Sequence, residues 1–327
     1  MTLYLTVEDV RGLVGMQDAV DALDTAFKHW ADPGTAQFPR RRLSLPGGSV
    51  NLMAASYPSQ GVYGYRVYSI LPKGMSNQVF LFDMEGGPPL AIIESGTAST
   101  TRTGAATGIA TRYLAREDAR TVGLIGSGRQ AGPQLEALKA VRPITRVNVY
   151  SRKKENRESF AKRMAGALDV EVVPVDSAEA AVKGVDIVVT ATMSADPVFR
   201  AEWIEPGMHI NVMGANSANR REVDDRTVLR ADVLVTDDRD QAKIEAGELI
   251  ELAASGRLAW SRVLELGDVV RGAVPGRTRP DQVTVFKSLG LAYEDVAFCK
   301  AILDRAREKG VGRDLGLASA PPRPPRN

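Results

Sequence analysis

The stretch Thr121-Val-Gly-Leu-Ile-Gly-Ser-Gly-Arg-Gln-Ala131 runs a short apolar strand directly into Gly126-x-Gly128-x-x-Ala131. That order suits the pyrophosphate of a dinucleotide. Gly126 permits the tight turn, and Gly128 lets the backbone approach the phosphates. The small Ala131 lets the next helix pack on the strand, with its N-terminal N–H groups facing the anion. Two glycines in a loop are common by themselves, and the competing reading is a purely structural strand–turn–helix. The context strengthens the nucleotide reading. An amphipathic stretch follows (Ala131, Leu135, Leu138, Ala140, Val141), then a second strand, Val147-Asn-Val-Tyr150.

Working outward, the middle of the chain alternates strands and helices at the pace of a doubly wound sheet. A charged helix is expected over about 154–167, a strand over 171–175, a short helix over about 177–183, and buried-type strands over 186–190, 209–213 and 233–236. Their β-branched runs fit parallel strands covered on both faces. The first 115 residues read differently. A helix over about 7–30 precedes Pro- and Gly-punctuated strands at 42–45, 50–54, 63–71, 78–83 and 90–94, the pattern of an α+β unit with a mostly antiparallel sheet. A small-residue helix, 103–114, suits close packing, and a C-terminal helix over about 290–308 can return to the first unit. The expected division is therefore 1–115 plus about 295–320, with 116–294 as the nucleotide-binding unit. The Pro-rich 321–327 segment is expected to be disordered.

Composition narrows the function classes. Lys plus Arg total 42 against 40 Asp plus Glu, so no net field points to nucleic acid or an anionic membrane. The single cysteine, Cys299, excludes an internal disulfide and fits a reducing cytoplasm. Only His29 and His209 are present, and no Cys/His cluster has metal-ligand spacing. His29, near Phe27 and Trp30, reads as structural, and His209 in a buried-type strand as a packed neutral residue. No apolar run approaches the ~20 residues that span a bilayer.

Several segments together resemble the ornithine cyclodeaminase/mu-crystallin family. They are Tyr63-Gly-Tyr-Arg66, Thr101-Arg-Thr-Gly-Ala-Ala-Thr-Gly-Ile-Ala-Thr-Arg-Tyr-Leu114, Gly126-Ser-Gly-Arg-Gln-Ala131, Asn211-Val-Met-Gly-Ala-Asn216, Arg221-Glu-Val-Asp-Asp225, Ile244-Glu-Ala-Gly-Glu248 and Thr284-Val-Phe-Lys-Ser-Leu-Gly-Leu-Ala-Tyr-Glu-Asp295. The resemblance implies an α/β fold, with a Rossmann doubly wound domain inserted in an α+β substrate-binding and dimerisation domain. It also implies a homodimer, and hydride exchange between a nicotinamide and an imine derived from an amino acid.

The resemblance assigns roles residue by residue. Arg40 or Arg41, in the run Arg40-Arg-Arg42, matches the arginine that clamps the substrate carboxylate. Arg66 stands where the family usually has lysine, and arginine keeps its proton, so it can hold an anion but is a poor acid or base. Arg102 matches a cofactor-contacting arginine, with Thr103 beside it. Gly126, Gly128, Arg129, Gln130, Thr192 and Ser288 match further cofactor contacts, and Glu245 a position facing the substrate. Asn216 replaces the aspartate proposed as acid/base in cyclodeaminases, and an amide cannot take that role. Arg66 and Asn216 together therefore turn the expectation from cyclodeamination to reduction.

Cofactor choice rests on the end of the second strand, Tyr150-Ser-Arg-Lys153, at 151 − 126 = 25 residues past Gly126. An acid there would accept from a ribose 2′-OH, whereas Ser151, Arg152 and Lys153 suit a 2′-phosphate. NADP(H) is favoured over NAD(H). The expected activity is an NADP(H)-dependent reductase of a carboxylate-bearing imine, or an α-amino acid dehydrogenase. The alternatives are an NAD-dependent cyclodeaminase-type lyase, or a nucleotide-binding protein without turnover.

Overall fold

The chain builds two sheets, one mostly antiparallel and one wholly parallel, in a computed structural model that describes residues 1–317. It enters through a short strand, β1 (Leu3–Leu5), and two helices, Val7–Leu13 and Met16–Lys28. The single helix expected over 7–30 breaks at Val14, which is extended (φ −139°, ψ 143°). The Gly15 N–H then donates to Asp18 at 2.8 Å, opening the second helix.

Alternating polarity over 36–83 produces four ten-residue antiparallel strands, each longer than its sequence expectation. These are β2 (Ala36–Leu45), β3 (Gly48–Tyr57), β4 (Val62–Leu71) and β5 (Gly74–Asp83); β6 (Ala91–Glu94) then joins β5 to β1. Register sorts their side chains by face. Arg42, Asn51, Tyr68 and Asn77 stand opposite one another in one row, and Met53, Arg66 and Val79 in another row of the same face. Ala54, Tyr65 and Phe80, with Ser56, Tyr63 and Phe82, point to the other face. Between Phe38 and Arg41 the β2 register slips. This bulge turns Arg40 inward, where it is buried, and leaves Arg41 exposed.

Helix Gly96–Leu114 joins the two parts and begins earlier than the expected 103. Its small residues serve contact: a Cβ at Gly104 would lie 2.4 Å from the Pro133 carbonyl oxygen, on helix Ala131–Val141. The second sheet then forms from β7 (Thr121–Ile125), β8 (Arg146–Tyr150), β9 (Glu171–Pro174), β10 (Ile187–Thr190), β11 (His209–Val212), β12 (Val233–Thr236), β13 (Val263–Glu265) and β14 (Thr284–Lys287). All neighbours are parallel, in the order β13-β12-β14-β11-β10-β7-β8-β9. Winding proceeds from β7 outward through β8 and β9, then restarts at β10. The β7/β10 junction is thus the switch point where such sheets open a ligand crevice. The sequence reading ended at 233–236 and missed β13 and β14.

Helix Ala292–Lys309 returns to the first sheet, burying Tyr293, Val296, Phe298 and Ile302 in its core; Tyr293 packs its ring 5.2 Å from Trp30 and 5.3 Å from Tyr57. β15 (Arg313–Asp314) pairs with β1, so the first and last described strands close one sheet around the inserted parallel one. The architecture is the expected α/β fold, a Rossmann doubly wound sheet set into an α+β part. The 321–327 segment lies outside the described residues.

Candidate active site

The C-terminal ends of the parallel strands face the inner surface of the antiparallel sheet across a cleft of about 550 Å³, a size typical of small-molecule sites. Loops after β7, β10, β11 and β14 supply Gly128, Arg129, Gln130, Thr192, Asn216 and Ser288 to one wall. Arg40 and Arg66 come from the sheet, and Arg102 and Thr103 from helix Gly96–Leu114. Of the other sequence-derived candidates, Arg41 lies on the opposite sheet face and Glu245 stands behind the wall. Gly126, Ser151, Arg152 and Lys153 are not cleft-lining; the last three sit at the end of β8.

The glycine loop has the shape a dinucleotide needs. Gly126 has φ +115°, and a Cβ there would meet the Ala191 carbonyl oxygen at 2.4 Å. A Cβ at Gly128 would meet nothing within 4 Å, so the backbone there opens on free space. Helix Ala131–Val141 starts without a side-chain cap; the Ala131 N–H donates to the Gly128 carbonyl at 3.1 Å and Pro133 has no N–H, so the Gly132 N–H is the one left to an anion, and the buried Gln130 Oε1 has no partner among the described residues. At the end of β8 the Ser127 hydroxyl donates to Ser151 Oγ at 3.0 Å, and Arg152 is exposed.

The arginines are held from behind by carboxylates. Arg66 donates through Nε to Asn77 (2.9 Å) and through Nη1 to Asp295 (3.2 and 3.3 Å); its Nη2 is unbonded among the described residues. Burial lowers its pKa, Asp295 opposes the shift, and Arg102 adds to it. Arg102 bonds Asp295 at 2.7 Å and Glu294 at 2.8 Å. Burial disfavours its charge, but these two carboxylates outweigh burial and hold it above the ordinary guanidinium range. Arg102 thus sits inside helix Gly96–Leu114 as a buried ion-pair centre, not at the helix start. Arg40 donates to Glu245 at 2.5 Å and to the carbonyls of Leu289 and Gly290. Burial pushes Glu294 up to about 8 despite Arg102, and Asp237 up to about 6 although the Leu289 and Gly290 N–H groups donate to it.

Sequence reasoning missed a second layer. Glu222 receives hydrogen bonds from Thr190 Oγ1, from the N–H and hydroxyl of Thr192, and from the Gly214 N–H, tying the β10 and β11 loops together. Lys287, at the end of β14, is buried; it donates to the Ala215 carbonyl at 2.6 Å and pairs with Glu248 at 3.1 Å. Glu248 in turn accepts from the Glu222 N–H at 3.0 Å. These residues lie in matched motifs, but only a contact map gives them work. Among the described residues no Asp, Glu, Lys, His or Cys lines the cleft. Chemically, the cleft offers guanidiniums, amides, hydroxyls and the Tyr68 phenol, whose ring lies 4.5 Å from the Arg66 guanidinium: groups suited chiefly to anion binding and orientation.

A model of the ornithine cyclodeaminase/mu-crystallin family matches residues 1–310. The chain is 35% identical over 328 residues to an alanine dehydrogenase of Archaeoglobus fulgidus, covering 96% of this chain and 98% of that one. It superposes on Thermococcus litoralis Delta(1)-pyrroline-2-carboxylate reductase, solved in complex with NADH and L-proline, with a TM-score of 0.91 and 32% identity, covering 96% and 100% of the two chains. An archaeal alanine dehydrogenase dimer with bound NAD gives a TM-score of 0.89 at 32% identity, covering 95% and 98%.

Proposed function

Because this chain belongs to the ornithine cyclodeaminase/mu-crystallin family, we propose that it is an NADP(H)-dependent oxidoreductase that reduces a carboxylate-bearing imine, or oxidises the corresponding α-amino acid. The observation that carries this reading is the cleft composition among the described residues: arginines with an unbonded Arg66 Nη2, Asn216 at the β11 end, and no carboxylate or lysine on the wall. A cyclodeaminase-type lyase needs a proton-transferring side chain at those positions, and arginine and asparagine do not supply one. The relatives reported above carry the names alanine dehydrogenase and Delta(1)-pyrroline-2-carboxylate reductase.

Gly128, Arg129 and Gln130 with the open helix N-terminus would hold the pyrophosphate, and Thr192, Asn216 and Ser288 the nicotinamide end. When bound, the reduced nicotinamide supplies hydride to the imine carbon. Arg66 holds the substrate carboxylate through its free Nη2, while Asp295 and Asn77 fix the guanidinium plane. Arg40, braced by Glu245, lines the cleft from the same face of the sheet as Arg66. Water delivers the proton to the imine nitrogen. Catalysis is mainly positioning and partial exclusion of solvent.

The absence of an acid in Tyr150-Ser-Arg-Lys153 supports NADP(H) over NAD(H). Titration of one preparation with NADPH and NADH, alongside Arg152→Asp, tests this: NADPH binds tighter, and the variant reverses the order. Indifference to the substitution removes the argument. Ammonia release from a diamino acid without net nicotinamide turnover would favour the lyase. NADPH binding without turnover on any imine would favour a binding protein.

The outer sheet face, with exposed Leu43 and Leu52 and the stacked Tyr65–Phe80 pair (4.8 Å), is the surface we assign to a second copy in a homodimer. A reducing, cytoplasmic location is consistent with the single buried Cys299.

A further inference from the structure

Among the described residues six arginines line the cleft, and the nearest carboxylates stand behind its wall. Arg66 and Arg102 share Asp295, and Arg102 also holds Glu294. Arg129 follows the glycine loop, and its Nη1 lies 4.0 Å from the Met75 sulfur on β5. That contact places the phosphate end of the cleft at the β5 edge. Arg42 stands on β2, three strands away in the register of the sheet, or ~14 Å at the usual strand spacing. It is therefore not a phosphate ligand, yet it shares a face with Arg66.

Arg42 is aimed and undercompensated. Its Nε donates to Asn51 Oδ1 at 3.0 Å, and Asn51 is itself buried and braced by Ser49. Its one carboxylate neighbour among the described residues is Glu245, 3.6 Å away and already bonded to Arg40 at 2.5 Å. Two guanidiniums thus face a single carboxylate, and Arg42 Nη1 is unbonded among the described residues. With a side chain 39% exposed, it meets the cleft rather than the core. Arg42 and Arg66 are separated by two strands and two residues, a Cα distance of ~12 Å. A short diacid with one guanidinium at each end spans that gap.

We infer that Arg42 binds a second carboxylate of the substrate, so that the preferred substrates are dicarboxylic 2-imino acids and their products acidic amino acids. This rests on the imine-reductase reading above. Arg66 takes the carboxylate next to the imine carbon, and Arg42 the distal one. Reduction breaks the C=N π bond: hydride, with its two electrons, goes to carbon and a proton to nitrogen, and the reduced nicotinamide is oxidised.

The test has two arms. In the first, wild type and Arg42→Gln reduce the imine formed in solution from oxaloacetate and ammonia, or from pyruvate and ammonia, with NADPH and with NADH. Wild type favours the oxaloacetate imine in kcat/KM by about 10- to 100-fold, mainly through KM, and the variant loses that ratio. In the second, calorimetry compares succinate with propionate binding to protein saturated with oxidised cofactor; succinate binds tighter, and Arg42→Gln removes the difference. A ratio unchanged in the variant, a wild-type preference for the pyruvate imine, or equal binding of the two acids overturns the assignment. If neither imine is reduced but succinate still binds tighter through Arg42, the reaction reading fails while the second carboxylate site stands.

Discussion

His209, at the start of β11, is wholly buried, with Nδ1 2.9 Å from the Thr284 hydroxyl and Nε2 3.2 Å from Asn211 Oδ1. Burial, reinforced by the Arg277 and Arg142 guanidiniums, lowers its pKa from 6.5 to about 3. It is packed and neutral, the bland role that a histidine in an apolar run suggests. Its folded pKa lies below its unfolded one, so the unfolded chain binds the extra proton between them. The stability linked to His209 is complete above about pH 6.5 and is lost as pH falls toward 3. His209→Gln should therefore flatten the acid limb of a plot of urea midpoint against pH in that window; an unchanged limb would mean that other groups control it. Lys287 carries the opposite risk, a buried charge whose partner depends on it. Lys287→Met leaves Glu248 uncompensated and should cost roughly 3–5 kcal/mol in urea unfolding. Replacing Glu248 with Leu as well should recover much of the loss. Neither Lys287 nor Glu222 could be read as a site residue from sequence, because a buried ion pair and a surface charge use the same letters.

The glycine loop was legible as an element because its turn, its close approach and its helix packing each demand a residue type at a fixed offset. The structure adds the reason at Gly126: φ of +115° together with the Ala191 carbonyl 2.4 Å from any Cβ. Gly126→Ala should thus cost about 1–3 kcal/mol in stability and weaken NADPH binding in a fluorescence titration far more than Ala substitution at the unobstructed Gly128. Equal effects at the two glycines would refute this. The β2 bulge was not legible. Simple alternation over Arg40-Arg-Arg42 puts Arg40 and Arg42 on one face and Arg41 on the other, but cannot say which of the two faces points inward. Only pairing with β3 shows Arg40 and Arg42 on the cleft side. β14 escaped because it spans four residues and ends at once in the Ser288–Gly290 turn, whose fully buried setting in the sheet is a tertiary fact.

At the scale of the whole molecule, the two sheets meet through helices Gly96–Leu114 and Ala292–Lys309, and the cleft lies where the switch point of one faces the inner surface of the other. The antiparallel sheet buries one face on Ala292–Lys309 and leaves Tyr63, Leu52 and Leu43 exposed on the other. Tyr65→Lys, set among the stacked rings of Phe80 and Phe82 on that outer face, should turn a dimer into a monomer in sedimentation velocity at micromolar concentration. A monomeric wild type would remove the assignment of this face. By itself the sequence determined the local and periodic features: the nucleotide loop, the buried parallel strands, the antiparallel alternation, the family and the α/β class. These follow from backbone sterics and from hydrophobic repeats, which are written in neighbouring residues. Tertiary structure alone decided which arginines face the cleft, which carboxylates brace them and which buried charges hold the loops. Those partners are separated by up to 250 residues, as for Arg40 and Gly290, and the cost of burying a charge is set by whatever the fold brings beside it.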